Sequence, residues 1–290
     1  MSRQTKYGIR DLKREFPSND ACLEYLFLLS HSKKCSCGGT YRRIYTRKQF
    51  QCSKCRYQIA PMSGTIFEKS TTPLTLWFHA ILVFSNAKSG ISASEMERQL
   101  NVTYKTAFRM LKRIREHLKQ DTRLLKGSVE IDEGFFGGRG KVTKTKDQSQ
   151  IILGKSRVIA AYERGGDMRT ELVDVVSAST VQRFVEKNIE AKSRLVTDKN
   201  PSYIRVAKKG YKHESVNHSK KEYSRGDVHV NHVESFWAHV KLSIRGTHKG
   251  VSKQYLSSYL DGFVFHYNTR NNDRKRFDAL LSKVLERKAS

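Results

Sequence analysis

The sequence predicts an α/β protein in which a sheet flanked by helices fills the second half, preceded by a cysteine ribbon and a helical hairpin. Three observations carry this. Four of the five cysteines stand in two close pairs within residues 35–55. Residues 61–118 repeat apolar side chains at helical spacing. From 127 the pattern changes to short β-rich runs broken by glycines, and afterwards returns to helical spacing. These shifts divide the chain into an N-terminal helical segment (1–32), a ribbon (33–60), a helical region (61–124) and an α/β region (125–290).

The chain has 290 residues, enough for two domains and a sizeable core. Lys and Arg number 55 against 28 Asp and Glu, a formal charge of +27. That charge on a foldable composition points to a polyanion, most simply nucleic acid. No apolar run approaches the roughly 20 residues of a spanning helix, which excludes a membrane reading. The start, MSRQTKYGIRDLKREF, carries charges where a signal peptide would be apolar, so the expected compartment is the cytoplasm. In a reducing compartment clustered cysteines favour a metal over disulfides.

Taken in order, a short amphipathic helix is expected after Pro17-Ser18-Asn19-Asp20, with Leu23, Leu26, Phe27 and Cys22 inward. Cys35 and Cys37, then Cys52 and Cys55, can place four thiolates around one structural Zn²⁺. The first pair is compressed to C-x-C, which leaves Cys35 the least certain ligand. The intervening strands carry Arg43, Arg47 and Lys48 among aromatic residues, which suits phosphate contact or a merely solvated face. Residues 73–90 form an apolar helix containing Trp77. Ser92 with Glu95 has capping-box spacing for a second helix. A third helix buries Ala107, Met110, Leu111, Ile114 and Leu118. The last two resemble a helix-turn-helix, with Thr103, Tyr104, Lys105 and Arg109 at the start of the helix that would enter a DNA groove. A helical hairpin that binds nothing fits the same pattern.

In the α/β region GSVEIDEGFF alternates Val129 and Ile131 against Glu130 and Asp132. Two further strands meet at Gly165-Gly166, a helix buries Val181, Phe184, Val185 and Ile189, and a fourth strand ends at Asp198. The basic run 139–155 reads as a loop that clamps DNA or as a solvated hairpin. The stretch VHVNHVESFWAHVK opens a helix with Val233, Phe236, Trp237 and Val240 on one stripe and Asn231 as expected N-cap. Glu234 and Lys241 share one side of that helix, two turns apart. Capped surface charges would look the same. The alternative is that Asp132, Asp198 and Glu234 meet in one cleft. Three such carboxylates repel unless cations neutralise them, and hard oxygen ligands select Mg²⁺ or Mn²⁺. Glu133 adjoins Asp132 but alternation aims it at the opposite face, so it is expected to lie outside the site. His229, His232 and His239 are expected at the polar surface or facing DNA.

The blocks VEIDEGFFGGR, VTDKNPSY, HVNHVESFWAHVK and GTHKGVSKQYLSSYLDGFVFHYNTR, in this order, resemble the IS1595-family (ISXO2-like) insertion-sequence transposases. The ribbon, with SGTIF and PLTLWF behind it, is similar to that family's N-terminal zinc-binding region. The resemblance implies a ribonuclease-H-like catalytic domain and an acidic triad at Asp132, Asp198 and Glu234, with Asn231 as reserve for the third ligand. It further implies two divalent ions per active site, Lys241 against DNA phosphate, and transposon-end and target DNA as substrates. Synapsis of two ends implies a homodimer or higher oligomer. A DNA-binding regulator without catalysis and a structure-selective nuclease on the same core are the alternatives.

Overall fold

A computed structural model describes residues 6–138, 141–144, 150–203, 206, 210–270 and 273–285. The chain forms two compact units, residues 1–118 with 269–290 and residues 119–268. The expected boundaries group 269–290 with the α/β region. The helix there instead packs on the third helix of the first unit.

In the first unit α1 (Ile9–Glu15) precedes α2 (Asn19–Ser30), whose N-cap Ser18 accepts from the Ala21 N–H. Cys22, Leu23, Leu26 and Phe27 are buried as the spacing predicts. The ribbon is an antiparallel sheet of β1 (Tyr41–Ile44), β2 (Gln49–Cys52) and β3 (Gln58–Ile59). Phe50 of β2 stacks on Phe27 of α2 at 4.2 Å between ring centres, which anchors the ribbon to that helix. Residues 61–73 are turns, not helix, because Gly64 and Lys69 take positive φ (74° and 52°). Ile66 and Phe67 are nonetheless buried, and Arg113 donates to the carbonyls of Ile66 and Glu68.

There follow α3 (Leu74–Asn86), α4 (Ala93–Leu100) and α5 (Tyr104–Glu116). Ser92 caps α4 through the Glu95 N–H, and Asn101 in the left-handed region turns the chain into α5. Ala107, Met110, Leu111, Ile114 and Leu118 are buried as expected.

The second unit is built on β4 (Ser128–Phe136), β7 (Ser156–Glu163), β8 (Met168–Val173), β9 (Arg194–Asp198) and β10 (Lys212–Val216). Their spatial order is β10-β9-β4-β7-β8. β7 runs antiparallel to both β4 and β8, whereas β9 is parallel to β4 and β10 parallel to β9. Counted by appearance among these five, the order is third, second, first, fourth, fifth with only the second reversed, the ribonuclease-H-like arrangement. β10 adds an edge strand that the sequence reading omitted. β5 (Lys141–Lys144) and β6 (Gln150–Leu153) pair as a separate hairpin between β4 and β7. The rest of the basic run 139–155 lies partly outside the described residues.

One face of the sheet is covered by α6 (Ala178–Asn188), with Val129, Ile131, Val181, Phe184 and Val185 in its core. The other face carries α7 (Asn231–Gly246) and α8 (Lys253–Asn268). Val233, Phe236, Trp237 and Val240 are buried there, the stripe the spacing predicts. A Cβ on Gly134 would stand 2.9 Å from the Trp237 ring, so this glycine lets α7 approach β4 closely. Asn231 is the first residue of α7 and not its N-cap; Val230 holds that place and offers no capping side chain. No helix among the described residues is long and apolar enough to cross a membrane.

Candidate active site

The register of the sheet builds the site. β4 and β9 pair Ile131 with Thr197, so the next residues, Asp132 and Asp198, stand side by side where the two parallel strands end their pairing. Their carboxylate oxygens and one of Glu133 lie within 4.8 Å of one another. Glu133 therefore belongs to the cluster, against the expectation from strand alternation. Its backbone position does face the α6 side, but the side chain stands at the end of the β4–β9 pairing, where no further rung separates it from Asp198.

Glu234 comes from the first turn of α7 and is about half exposed. Its charge acts on both Asp132 and Asp198, although its carboxylate is not among the three that touch. It lies 3.7 Å from His218 Nδ1. Lys241, two turns further along α7, opposes the rise in the Asp132 pKa.

The cluster is electrostatically unsatisfied. Burial first, then the charges of Asp198 and Glu234, pushes Asp132 up to about 7. Burial first, then the charges of Asp198 and Asp132, pushes Glu133 up to about 8. Asp198 is also raised, by burial first, with His218 opposing. Asp198 Oδ1 and Glu133 Oε1 are buried with no hydrogen-bond partner, and so is the Tyr203 hydroxyl beside Glu133. Orphaned anionic oxygens converging on one point are what a hard divalent cation fits, so the donor set suits Mg²⁺ or Mn²⁺.

A stability prediction follows from the raised acids. The cation-free folded state binds more protons than the unfolded chain between the ordinary carboxylate range and about pH 8, so stability falls as pH rises through that window. In magnesium-free buffer the melting temperature of the second unit is therefore higher at pH 5.5 than at pH 8. At pH 8, Mn²⁺ at a hundred times its dissociation constant restores about 2.7 kcal/mol. A pH-independent melting temperature would contradict the burial of these acids.

The second candidate metal centre is the ribbon. The four sulfurs of Cys35, Cys37, Cys52 and Cys55 lie within 4.8 Å of one another, with Cys35 to Cys55 at 3.7 Å and Cys37 to Cys52 at 3.5 Å. Four sulfurs each about 2.3 Å from a central Zn²⁺ stand roughly 3.8 Å apart, so the donors fit a tetrahedral zinc. The compressed C-x-C pair is accommodated by Gly38 at positive φ and by Gly39, where a Cβ would fall 2.5 Å from Cys52 Sγ. The Tyr41 hydroxyl donates to Cys35 Sγ and holds its pKa down at about 6, favouring the thiolate that ligates metal.

The residues expected to meet DNA divide into two groups. Arg47 and Lys48 are exposed in the β1–β2 turn, and Tyr104 and Lys105 are exposed on the first turn of α5. Arg43 instead turns inward, donating to the carbonyls of Ile44, Arg47 and Gln49 and pairing with Asp20. Thr103 is the N-cap of α5, accepting from the Thr106 N–H, and Arg109 donates to Thr72. Three of these residues thus shape the scaffold that presents the others.

His229 and His232 do not face solvent as a pair of free imidazoles. Both ring Nδ1 atoms approach the fully buried Glu130 carboxylate, at 3.6 and 2.8 Å. Sequence reasoning missed Glu130, although the alternation V-E-I-D puts it on the same face of β4 as Asp132.

Comparison with known proteins adds the following. Residues 124–268 match the family described as the ISXO2-like transposase domain. The chain is 31% identical over 268 residues, 86% of each sequence, to an uncharacterized protein in transposable element ISH50 of Halobacterium salinarum. Among solved structures, a pre-cleavage Mos1 transpososome aligns with a TM-score of 0.31 at 12% identity, over 72% of this chain and 76% of that one. A Mos1 strand transfer complex aligns at 0.29 and 12%, over 72% and 75%. The order and direction of the five strands carry the ribonuclease-H-like fold.

Proposed function

The chain belongs to the ISXO2-like transposases, and from that premise we propose that Asp132, Asp198 and Glu234 form the acid centre that cuts and joins DNA at the ends of its insertion sequence. The observation that supports this best is the convergence of Asp132, within β4, and Asp198, at the end of β9, just beyond the last β4–β9 pair, with buried, unpartnered carboxylate oxygen and with Glu234 acting on both.

Asp132, Asp198 and Glu234, with Glu133 beside them, would hold two Mg²⁺ or Mn²⁺ ions. Bound there, the ions would supply Lewis acidity to the attacking and leaving oxygens of a phosphodiester. The protein's own contribution is to hold the carboxylates converging on stiff β-strands, and to keep the first turn of α7 against β4. Lys241, exposed on α7 and near enough to act on Asp132, binds the scissile phosphate region as a point charge. No Ser or Tyr nucleophile enters the reading. Water opens the end phosphodiester, and the freed 3′-OH attacks target DNA.

The first unit binds the terminal repeats in this reading. Arg47 and Lys48 of the zinc ribbon would grip backbone phosphate, and Tyr104 and Lys105 would face a groove from the start of α5. Joining both ends of one element requires the two ends to be held together, so the working form is a homodimer or higher oligomer on double-stranded DNA.

The test is a nicking assay on supercoiled plasmids with and without the cognate ends, in Mg²⁺ and in Mn²⁺. The reading expects metal-dependent cuts at the ends only. Binding without cutting in either metal would leave a DNA-binding regulator. Cutting of branched DNA irrespective of end sequence would leave a structure-selective nuclease.

A further inference from the structure

Glu130 has no exposed surface, yet it is the third residue of β4, two before Asp132. A carboxylate buried at that depth is costly unless donors surround it. Its donors come from two other elements. The Arg164 guanidinium, in the β7–β8 turn, donates from Nε to Oε1 at 2.8 Å. The His232 backbone N–H donates to Oε2 at 3.1 Å, and the His232 ring donates from Nδ1 to Oε1 at 2.8 Å. Arg164 also donates from Nη2 to the His229 carbonyl at 3.0 Å. The chain entering α7 and the first turn of α7 are thus pinned to β4 through one side chain.

This explains how α7 begins without a capping side chain of its own. Its N-cap is Val230, and the free N–H of His232 is taken by Glu130 from the neighbouring strand. His229, His232 and Glu130 also form a group with metal-ligand geometry. Arg164 already occupies the carboxylate oxygen that faces both rings, so a positive charge is built into the place a cation would take.

We infer that Glu130 is a positioning residue for the acid centre, fastening the helical turn that carries Glu234 to the strand that carries Asp132. Its two anchor points lie two residues before each of those acids, Glu130 before Asp132 and His232 before Glu234. Through them the spacing between the two ligand-bearing segments is fixed at a point that never touches substrate. This inference rests on the reading of Asp132, Asp198 and Glu234 as the cation site. Residues that orient metal ligands typically change metal affinity or activity by about 10–100-fold when removed.

The experiment measures Mn²⁺ binding to the zinc-loaded full chain without DNA, by electron paramagnetic resonance or titration calorimetry, beside the nicking rate as a function of Mn²⁺. The variants are Glu130→Gln, His232→Ala, Asp132→Asn and Val185→Ala, the last a core truncation under α6 remote from the pinned turn. Glu130→Gln is expected to weaken Mn²⁺ binding at least about tenfold and to raise the Mn²⁺ needed for half-maximal nicking by the same factor. His232→Ala keeps the ion pair and the backbone N–H bond, so it folds and shows a smaller shift in the same direction. Val185→Ala lowers the melting temperature without moving Mn²⁺ affinity, which separates positioning from general destabilisation. If Glu130→Gln does not fold, His232→Ala decides. Wild-type Mn²⁺ affinity in the folded Glu130 and His232 variants, with binding lost in Asp132→Asn, would overturn the positioning role while leaving the acid centre intact. A wild-type chain that binds no Mn²⁺ would remove the acid-centre reading, and this inference with it.

Discussion

Asp132→Asn and Asp198→Asn are each expected to lower metal-dependent nicking at the element ends by roughly a thousandfold or more, about 4 kcal/mol of barrier, with end binding unchanged. The reason is positional. Both residues stand immediately beyond the last rung at which β4 and β9 pair, and both carry their charge against burial. An amide keeps the size and removes the charge that holds a cation, so the sheet survives and the chemistry does not. Because the unpaired anions destabilise the cation-free fold, each amide variant should melt at or above the wild-type temperature at pH 8. Loss of activity with retained or increased stability is the signature of a functional acid. A structural carboxylate would give the reverse. Glu234→Gln belongs to the same set and is expected to lose activity comparably. Glu133→Gln reads out how far the additional carboxylate shares the ion. Gel-shift binding, melting temperature and initial nicking rates on one preparation of each variant are sufficient to check this.

Cys52→Ser is expected to have the second large effect: loss of zinc, unfolding of residues 33–60 and loss of end binding, while the second unit keeps its own melting transition. Among residues 33–60 only Gly39, Phe50 and Cys52 are buried. A segment with so little core cannot offset the entropy of ordering its own backbone. A bound structural zinc, which supplies about 10–16 kcal/mol in comparable small sites, is the expected source of the missing stabilisation. Cys52 is the most enclosed of the four cysteines, with the Lys54 N–H donating to its sulfur and Gly39 packed against it. Metal analysis of the purified variant, near-ultraviolet circular dichroism and a gel shift test this. Full end binding by a variant with no bound zinc would contradict it.

Much of the fold could be read from residue spacing because each element buries one clean face. The α7 stripe at Val233, Phe236, Trp237 and Val240, the α5 stripe from Ala107 to Ile114, and the strand ending at Asp198 all follow from period alone. What spacing could not reveal depends on non-local partners. Asn231 looks like an N-cap, but the donor at the start of α7 is satisfied by Glu130, about a hundred residues earlier in the chain. Glu133 alternates away from Asp132 along β4, yet reaches Asp198 because the neighbouring strand pairing stops there. Arg43 looks like a phosphate contact by composition, but its guanidinium is absorbed by three carbonyls of its own turn and by Asp20. Residues 61–73 carry helical spacing of apolar groups, and two positive-φ positions override it. In each case a tertiary contact or a backbone constraint decides what the local pattern leaves open.

Side chains remote in sequence converge at the end of the β4–β9 pairing, where they are proposed to hold divalent cations. Anomalous diffraction at the manganese edge from crystals of the zinc-loaded protein grown in Mn²⁺ tests it most directly. The expected result is anomalous density within about 2.1 Å of carboxylate oxygens of Asp132 and Asp198, with Glu234 turned from His218 toward it. Saturating Mn²⁺ that leaves this cluster empty, or that collects at Glu130, His229 and His232 instead, would contradict it.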